Sequence, residues 1–306
     1  VLVALAGGVG AARLLRGLVA VVPPSDITAV VNTGDDVVLH GLHVSPDLDT
    51  VTYTLAGAVN PATGWGLTGE TWAAMEALER YGGLTWFRLG DRDLATHLYR
   101  TQRLQEGASL STVTAEVARA WDLELHLLPM SDDRVETRVT VAGEGEVDFQ
   151  EYFVHRRHAV PVTGVRFAGA EDARAAPGVL DALARASRIV VCPSNPIVSI
   201  GPIMAVPGIR EAVASRRDDV VAVSPIVAGA ALKGPADRML AELGLESSVV
   251  GVARLYAPVA ATLVVDTADA ASAAEVEAAG MRCVVAPTVM HTPDDAAALG
   301  RTVLSC

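Results

Sequence analysis

Lysine is nearly absent from this sequence. Its 306 residues carry 24 basic side chains, and only Lys233 among them is a lysine. Acidic residues number 36, which sets the formal net charge at −12. That balance excludes a non-specific DNA or RNA binder, because neutralising phosphates requires a basic face. Cysteine is scarce as well. Cys192, Cys283 and Cys306 are widely spaced, odd in number and form no CxxC pair. Neither a disulfide framework nor a zinc site is readable from them, and they suit a reducing cytoplasm. No apolar run approaches the ~20 residues of a membrane span. Val1 to Ala6 is strand-length, lacks a charged leading segment and runs straight into glycines, so it reads as a strand rather than a signal peptide. The expectation is a soluble cytoplasmic protein that binds neither nucleic acid nor membrane. Aromatic residues make up only 4%, and their placement is uneven: all but Tyr256 fall between Tyr53 and Phe167.

What the sequence has in quantity is buried-strand grammar. Hydrophobic residues make up 51% and charged residues 20%, which excludes a disordered or collagen-like chain. Val1 to Ala6 is a continuous apolar run of the kind buried on both faces of a parallel sheet. Gly7-Gly8-Val9-Gly10 follows as a turn. Ala11 to Val21 then carries apolar residues at helical spacing until Pro23-Pro24 stops it. Ile27 to Asn32 is a second apolar strand, which completes a βαβ unit with the right-handed crossover of a parallel sheet. Similar strands recur at Arg188–Cys192, Val220–Val223, Ala261–Val265 and Cys283–Ala286. Between the flanks, Asp49 to about Arg119 reads as helical, and Arg138–Val141 and Val147–Val154 as β. These patterns predict an α/β fold: one doubly wound, mainly parallel, Rossmann-like nucleotide-binding domain over 1–306, with a mostly helical, aromatic-rich insertion at 50–165.

In open α/β sheets ligands sit outside the carboxyl ends of the strands. Four polar turns fall at such ends: Gly7–Gly10, Asn32–Asp36, Pro193–Ser199 and Ser224–Gly234. The first offers backbone N–H groups at a helix N-terminus, where a phosphate binds. It is not a Walker loop, since no Gly-Lys-Ser/Thr follows, and Arg13 stands where the third glycine of GxGxxG would be. The second carries Asp35 and Asp36 and is followed by Asp47 and Asp49. Carboxylates held close repel one another unless a cation or proton lies between them, and oxygen ligands favour Mg²⁺ or another hard divalent cation. Helix capping is the competing role for any single one of these residues, Asp49-Thr50 in particular. Arg88, in Trp86-Phe87-Arg88-Leu89-Gly90-Asp91-Arg92-Asp93, suits a phosphate or ring carbonyl, or pairing with Asp91 or Asp93. Trp86 and Phe87 suit either a flat ligand or the core, and His97 reads as structural. Ser194 and Asn195 would present polar groups to a phosphate or base.

Taken in order, the motifs resemble the 2-phospho-L-lactate transferase family of deazaflavin coenzyme biosynthesis, which includes the actinobacterial phosphoenolpyruvate transferases. The resemblance rests on Ala6-Gly7-Gly8-Val9-Gly10-Ala11-Ala12-Arg13, Asn32-Thr33-Gly34-Asp35-Asp36, Ser45-Pro46-Asp47-Leu48-Asp49-Thr50 and Gly64-Trp65-Gly66. It continues through Trp86 to Leu94, Met130 to Thr137, Phe149 to Val154 and Pro193 to Pro196, and so runs along essentially the whole chain. It implies an acceptor, the deazaflavin Fo, and a donor, a guanosine diphosphate bearing lactate or enolpyruvate on its outer phosphate. GMP leaves, coenzyme F-420-0 or its dehydro form is produced, and Mg²⁺ or another divalent cation is required. Fo contacts are carried onto Asp49 and Arg88, and metal binding onto Asp35, Asp36 and Asp49. The nucleotide grip is carried onto Gly7, Gly8, Val9, Gly10, Ser194 and Asn195. Asp49 or Asp36 is the candidate base for the attacking hydroxyl. A homodimer, the commonest closed assembly, is the expected state. Two rival classes are a nicotinamide or flavin oxidoreductase and a sugar-nucleotide-binding regulator. Against the first stand Arg13 and Asn32, the latter where an acidic residue would close the second strand. The Asp-rich, aromatic middle separates the chain from the second.

Overall fold

The computed structural model describes residues 1–306. The chain opens with β1 (Leu2–Ala6), α1 (Gly8–Val19) and β2 (Ile27–Val31). A short hairpin, β3 (Val37–Leu39) and β4 (Leu42–Val44), precedes α2 (Pro46–Leu55), α3 (Ala73–Arg80), α4 (Asp93–Gln105) and α5 (Leu110–Ala120). Then come β5 (His126–Pro129), β6 (Glu136–Val141), β7 (Gly145–Asp148) and β8 (Val162–Ala168). The remainder alternates: α6 (Val179–Arg185), β9 (Arg188–Val191), α7 (Gly201–Ala205), α8 (Ile209–Ala214), β10 (Val220–Val223) and a small hairpin, β11 (Ile226–Val227) and β12 (Ala230–Ala231). It ends with α9 (Ala236–Glu242), α10 (Val249–Tyr256), β13 (Thr262–Val265), α11 (Ala273–Ala278), β14 (Arg282–Val285) and α12 (Pro293–Ser305).

Seven strands form one parallel sheet in the order β14-β13-β10-β9-β1-β2-β5. Its central strands are buried on both faces, as their unbroken apolar runs require. Alternate residues of β1 feed two separate cores: Val3 and Leu5 face one layer of helices, and Leu2, Ala4 and Ala6 face the other. From β1 the chain winds outward through β2 to β5, then returns to β9 and winds the opposite way. The strand order therefore reverses between β1 and β9, where sheets of this kind leave a crevice for ligand. No helix is long and apolar enough to cross a membrane.

The fold class is the one expected, with three corrections in detail. The segment 50–165 is helical only to Ala120. β5 within it is an edge strand of the main sheet, and β6, β7 and β8 form an antiparallel sheet of their own, in the order β7-β6-β8. β5 escapes notice because it has only four residues and ends on Pro129, which an edge strand tolerates. The strand expected over Val147–Val154 stops at Asp148, and Glu151–His155 is a π-helical turn. A short apolar run cannot by itself tell strand from helix, and Phe149, Tyr152 and Phe153 are spaced to cluster on a helical face. Finally, α1 starts at Gly8 rather than Ala11, so most of the glycine turn is the helix's own first turn.

Candidate active site

One cavity of about 630 Å³ opens at the reversal point between β1 and β9. That lies within the ~300–1,000 Å³ typical of small-molecule sites. All four polar turns picked out by sequence contribute to its lining, and Thr288–His291, which precedes α12, closes another part of the wall. Nothing in the sequence pointed to that last loop.

At one end is the start of α1. Gly7 N–H donates to Ser194 Oγ at 3.3 Å, which ties the β1 and β9 turns together. Gly8 N–H donates to Asp47 Oδ1 at 2.7 Å. No protein group accepts from Val9 or Gly10 N–H, and both residues line the cavity, leaving donors and the positive helix end for an anion. Gly10 is glycine for a packing reason: a Cβ there would lie 2.2 Å from the Pro193 carbonyl oxygen. A Cβ at Gly7 would lie 2.7 Å from Asp47 Oδ2. Asn195 spends its side-chain oxygen on Ile197 and Val198 N–H, capping the turn that follows.

The acidic residues separate into three environments. Asp35 and Asp47 are both buried and both accept from the same amide, Asn32 Nδ2, at 3.2 and 2.9 Å. Asp35 also accepts from Gln150 Nε2 at 3.3 Å. Burial, and then the nearby carboxylates, push Asp35 well above the ordinary carboxylate range. Burial likewise raises Asp47 to about 6, against the bonds from Asn32 and Gly8. Asp36 turns away from the main cavity. Its Oδ2 accepts from Ser45 Oγ at 2.7 Å and from His43 Nε2 at 2.9 Å, and the residue lines a separate cavity of about 110 Å³. Burial raises it too, offset by His43 and Ser45. The structure thus brings Asp35 together with Asp47, and places Asp36 with the β3–β4 hairpin.

Asp49 stands in the third environment, facing Arg100. Arg100 Nη1 donates to Asp49 Oδ2 at 3.2 Å and Nη2 donates to Oδ1, so both carboxylate oxygens are taken by one guanidinium. Arg100 is 3% exposed, and the Asp49 carboxylate offsets the burial that would otherwise disfavour its charge. Arg100 Nη1 also lies 3.3 Å from His97 Nδ1. A guanidinium has no acceptor, so Nδ1 accepts and the ring proton belongs on Nε2, 3.3 Å from Asp93 Oδ2. Asp93 Oδ1 accepts from the Tyr53 hydroxyl at 2.6 Å. Burial opposes the Asp93 charge, but His97 and Tyr53 hold its carboxyl below the usual range. This chain sews α2 to α4. His97 has the structural surroundings expected of it, whereas Arg100 and Tyr53 escaped the sequence reading. Their spacing was the available signal: Asp49 and Tyr53 are four apart, and Asp93, His97 and Arg100 follow helical steps along one face.

The cavity also carries aromatic side chains, with Trp65, Phe87, Phe149 and Phe153 in its lining. Arg88 lines it and lies over the Trp72 ring at 4.2 Å. It pairs with neither Asp91 nor Asp93. Asp91 accepts from Thr71 and from the first N–H groups of α3, and Asp93 is committed to Tyr53 and His97. Trp86 stacks on His155 at 5.1 Å instead of facing the cavity.

The residues fit a hard divalent cation at one place. Asp35 and Asp47 supply buried oxygen donors whose mutual repulsion a cation would relieve. Asp49, Asp93 and His97 also bring potential ligand atoms within 4.8 Å of one another. There, however, Arg100 Nη1 donates to Asp49 Oδ2 and lies 3.3 Å from His97 Nδ1.

The sheet's crevice, the free helix start, the carboxylate pair and the aromatic side chains thus meet around one cavity of the size of a small-molecule site. The 2-phospho-L-lactate transferase family model matches residues 2–303, and the chain belongs to that family, among the transferases of coenzyme F-420 biosynthesis. It is similar to the phosphoenolpyruvate transferase of Streptomyces griseus, with 52% identity over 99% of this chain and 97% of the relative. The phosphoenolpyruvate transferase of Kitasatospora aureofaciens is 50% identical over the same shares, and that of Mycolicibacterium smegmatis 42% over 98% and 96%. Among solved structures, an X-ray structure of a Bacillus halodurans protein shares the fold, with a TM-score of 0.63, 17% identity and coverage of 99% and 98%.

Proposed function

We propose that the enzyme transfers an enolpyruvyl-bearing phosphoryl group, or its 2-phospholactyl counterpart, from a guanosine-diphosphate-linked donor to the terminal ribityl hydroxyl of the deazaflavin Fo. The product is dehydro-coenzyme F-420-0 or coenzyme F-420-0. The observation that carries this reading is the mixed lining of the cavity: unpartnered N–H groups at the start of α1 and aromatic side chains share one enclosure. The names of the relatives favour the enolpyruvyl donor.

In this reading the hydroxyl oxygen forms a bond to the donor's outer phosphorus, and the phosphorus–oxygen bond to GMP breaks. The hydroxyl proton leaves to solvent. Such transfers rely on positioning and charge neutralisation more than on covalent help. Val9 and Gly10 N–H donate to the diphosphate, and Ser194 holds the β1 turn in place by accepting from Gly7. Phe87, Phe149 and Phe153 supply flat apolar area for the deazaflavin, with Arg88 and Asp49 as its polar contacts. Asp35 and Asp47 would hold a divalent cation such as Mg²⁺, which when bound neutralises phosphate charge. Of the residues expected to hold the metal, Asp35, Asp36 and Asp49, this reading keeps Asp35 and joins Asp47 to it, because Asp36 faces the β3–β4 hairpin and Asp49 accepts from Arg100.

The test is product mass after incubation with Fo, Mg²⁺ and each guanylylated donor in parallel. Dehydro-F-420-0 and GMP are expected from the enolpyruvyl donor. Absence of any Fo-derived product with every donor overturns the reading.

A further inference from the structure

We propose that Arg100 is the positioning residue for Asp49, fixing it as a hydrogen-bond acceptor for the acceptor substrate. The inference rests on the functional reading above and goes beyond it by assigning a role to a residue outside the cavity lining.

Three observations support it. First, both Asp49 oxygens are engaged by one planar guanidinium, the fork geometry that fixes a carboxylate in orientation as well as place. Second, Arg100 is itself held from behind: Nη1 also contacts the His43 carbonyl at 3.4 Å and His97 Nδ1 at 3.3 Å. Third, Asp49, Tyr53, Asp93 and His97 all line the cavity while Arg100 does not. Arg100 therefore acts through its neighbours. Each carboxylate oxygen retains a second lone-pair direction, so Asp49 can still accept from a substrate group.

The test uses the full chain, with Arg100→Met and Arg100→Lys. Folding is checked by circular dichroism, Fo affinity by the fluorescence of Fo on titration, and cation stoichiometry by electron paramagnetic resonance with Mn²⁺. Arg100→Met is expected to weaken Fo binding about tenfold or more and leave the KM for the guanylylated donor within about twofold. Arg100→Lys, which keeps the charge but loses the fork, should fall between Arg100→Met and the wild type in Fo affinity. A folded Arg100→Met that binds Fo as the wild type does overturns the proposal. So does an Asp49→Asn enzyme that loses the wild type's Mn²⁺. If Arg100→Met does not fold, Arg100→Gln replaces it, since a neutral amide can still hydrogen-bond behind Asp49 but lacks the fork that fixes both of its oxygens. Wild-type Fo affinity in that variant overturns the proposal, and a loss of tenfold or more supports it. If the wild type itself fails to bind Fo, the functional reading fails; if the wild type binds Fo and a folded Arg100→Met binds it equally, the role of Arg100 alone fails.

Discussion

Asp47 shows how one side chain can be costly to the fold and useful to the site. Its carboxyl is buried, accepts from Gly8 N–H and Asn32, and has its pKa raised to about 6 from an ordinary 3.8. Between those values the folded protein holds a proton that the unfolded chain has released. Stability therefore falls as pH rises from about 4 to 6, and above 6 the folded state carries the whole cost of the buried charge. Each tenfold rise in proton affinity corresponds to ~1.4 kcal/mol, so that cost is on the order of 2–3 kcal/mol. Asp47→Asn removes the titrating group but also one of the two accepted bonds, so its absolute stability is not the readout: between pH 4.5 and pH 7.5 the wild type should lose about that amount of stability relative to the variant. Urea denaturation at the two pH values checks this, and parallel pH slopes in the two proteins would refute it. A divalent cation between Asp35 and Asp47 relieves the same repulsion. Millimolar Mg²⁺ should therefore raise the wild-type midpoint at pH 7.5 and leave that of Asp47→Asn unmoved, while turnover by the variant is lost.

At the scale of elements, the contact between α1 and α12 decides where part of the cavity wall stands. Gly17 lies inside α1, where alanine is favoured over glycine by about 1 kcal/mol. A Cβ at Gly17, however, would lie 2.1 Å from the Ala296 carbonyl oxygen, a backbone atom of α12 that no rotamer change can move. Overpacking of this kind costs about 1–3 kcal/mol and outweighs the propensity gain. Gly17→Ala should therefore be destabilised in urea denaturation; equal or greater stability would show that α12 yields freely. Because Thr288–His291 leads into α12 and lines the cavity, the variant should lose activity as well. The elements themselves were unevenly legible. β1, α1 and β2 could be read because each strand is buried on both faces and needs an unbroken apolar run. The small sheet of β6, β7 and β8 was partly visible from alternation in Glu136–Val141. β5 was not visible, since four residues ending in proline carry too little pattern. The Asp49–Arg100 pair was beyond reach for another reason: the two lie 51 residues apart, and only the docking of α2 on α4 brings them together.

Across the whole molecule, a chain of net charge −12 has to admit an anionic donor. The general field opposes approach, so local cations must offset it. Three basic side chains line the cavity, Arg13, Arg88 and Lys233, and none has a carboxylate within salt-bridge distance. Lys233 comes from the loop after β12, and its ammonium donates to the Thr63 carbonyl at 2.8 Å. That bond joins the loop after β12 to a loop of the aromatic middle, beside the start of α1, since a Cβ on Gly64 would lie 2.9 Å from Lys233 Nζ and 3.0 Å from Val9 Cγ1. Burial and then Arg13 lower the Lys233 proton affinity, so the two cations feel one another with no protein anion between them. A phosphate or carboxylate of the donor is the charge such a pair lacks. Lys233→Met should accordingly raise the KM for the guanylylated donor about three- to tenfold, or ~0.7–1.4 kcal/mol. The KM for Fo and the melting temperature should stay as they are, because the side chain is exposed and packs against little. As the only lysine of the 306 residues, it also allows a direct check. Acetylation at position 233, read by peptide mass, should slow when the donor is present and proceed unchanged with Fo alone; equal rates with and without donor would remove Lys233 from the donor's end of the cavity.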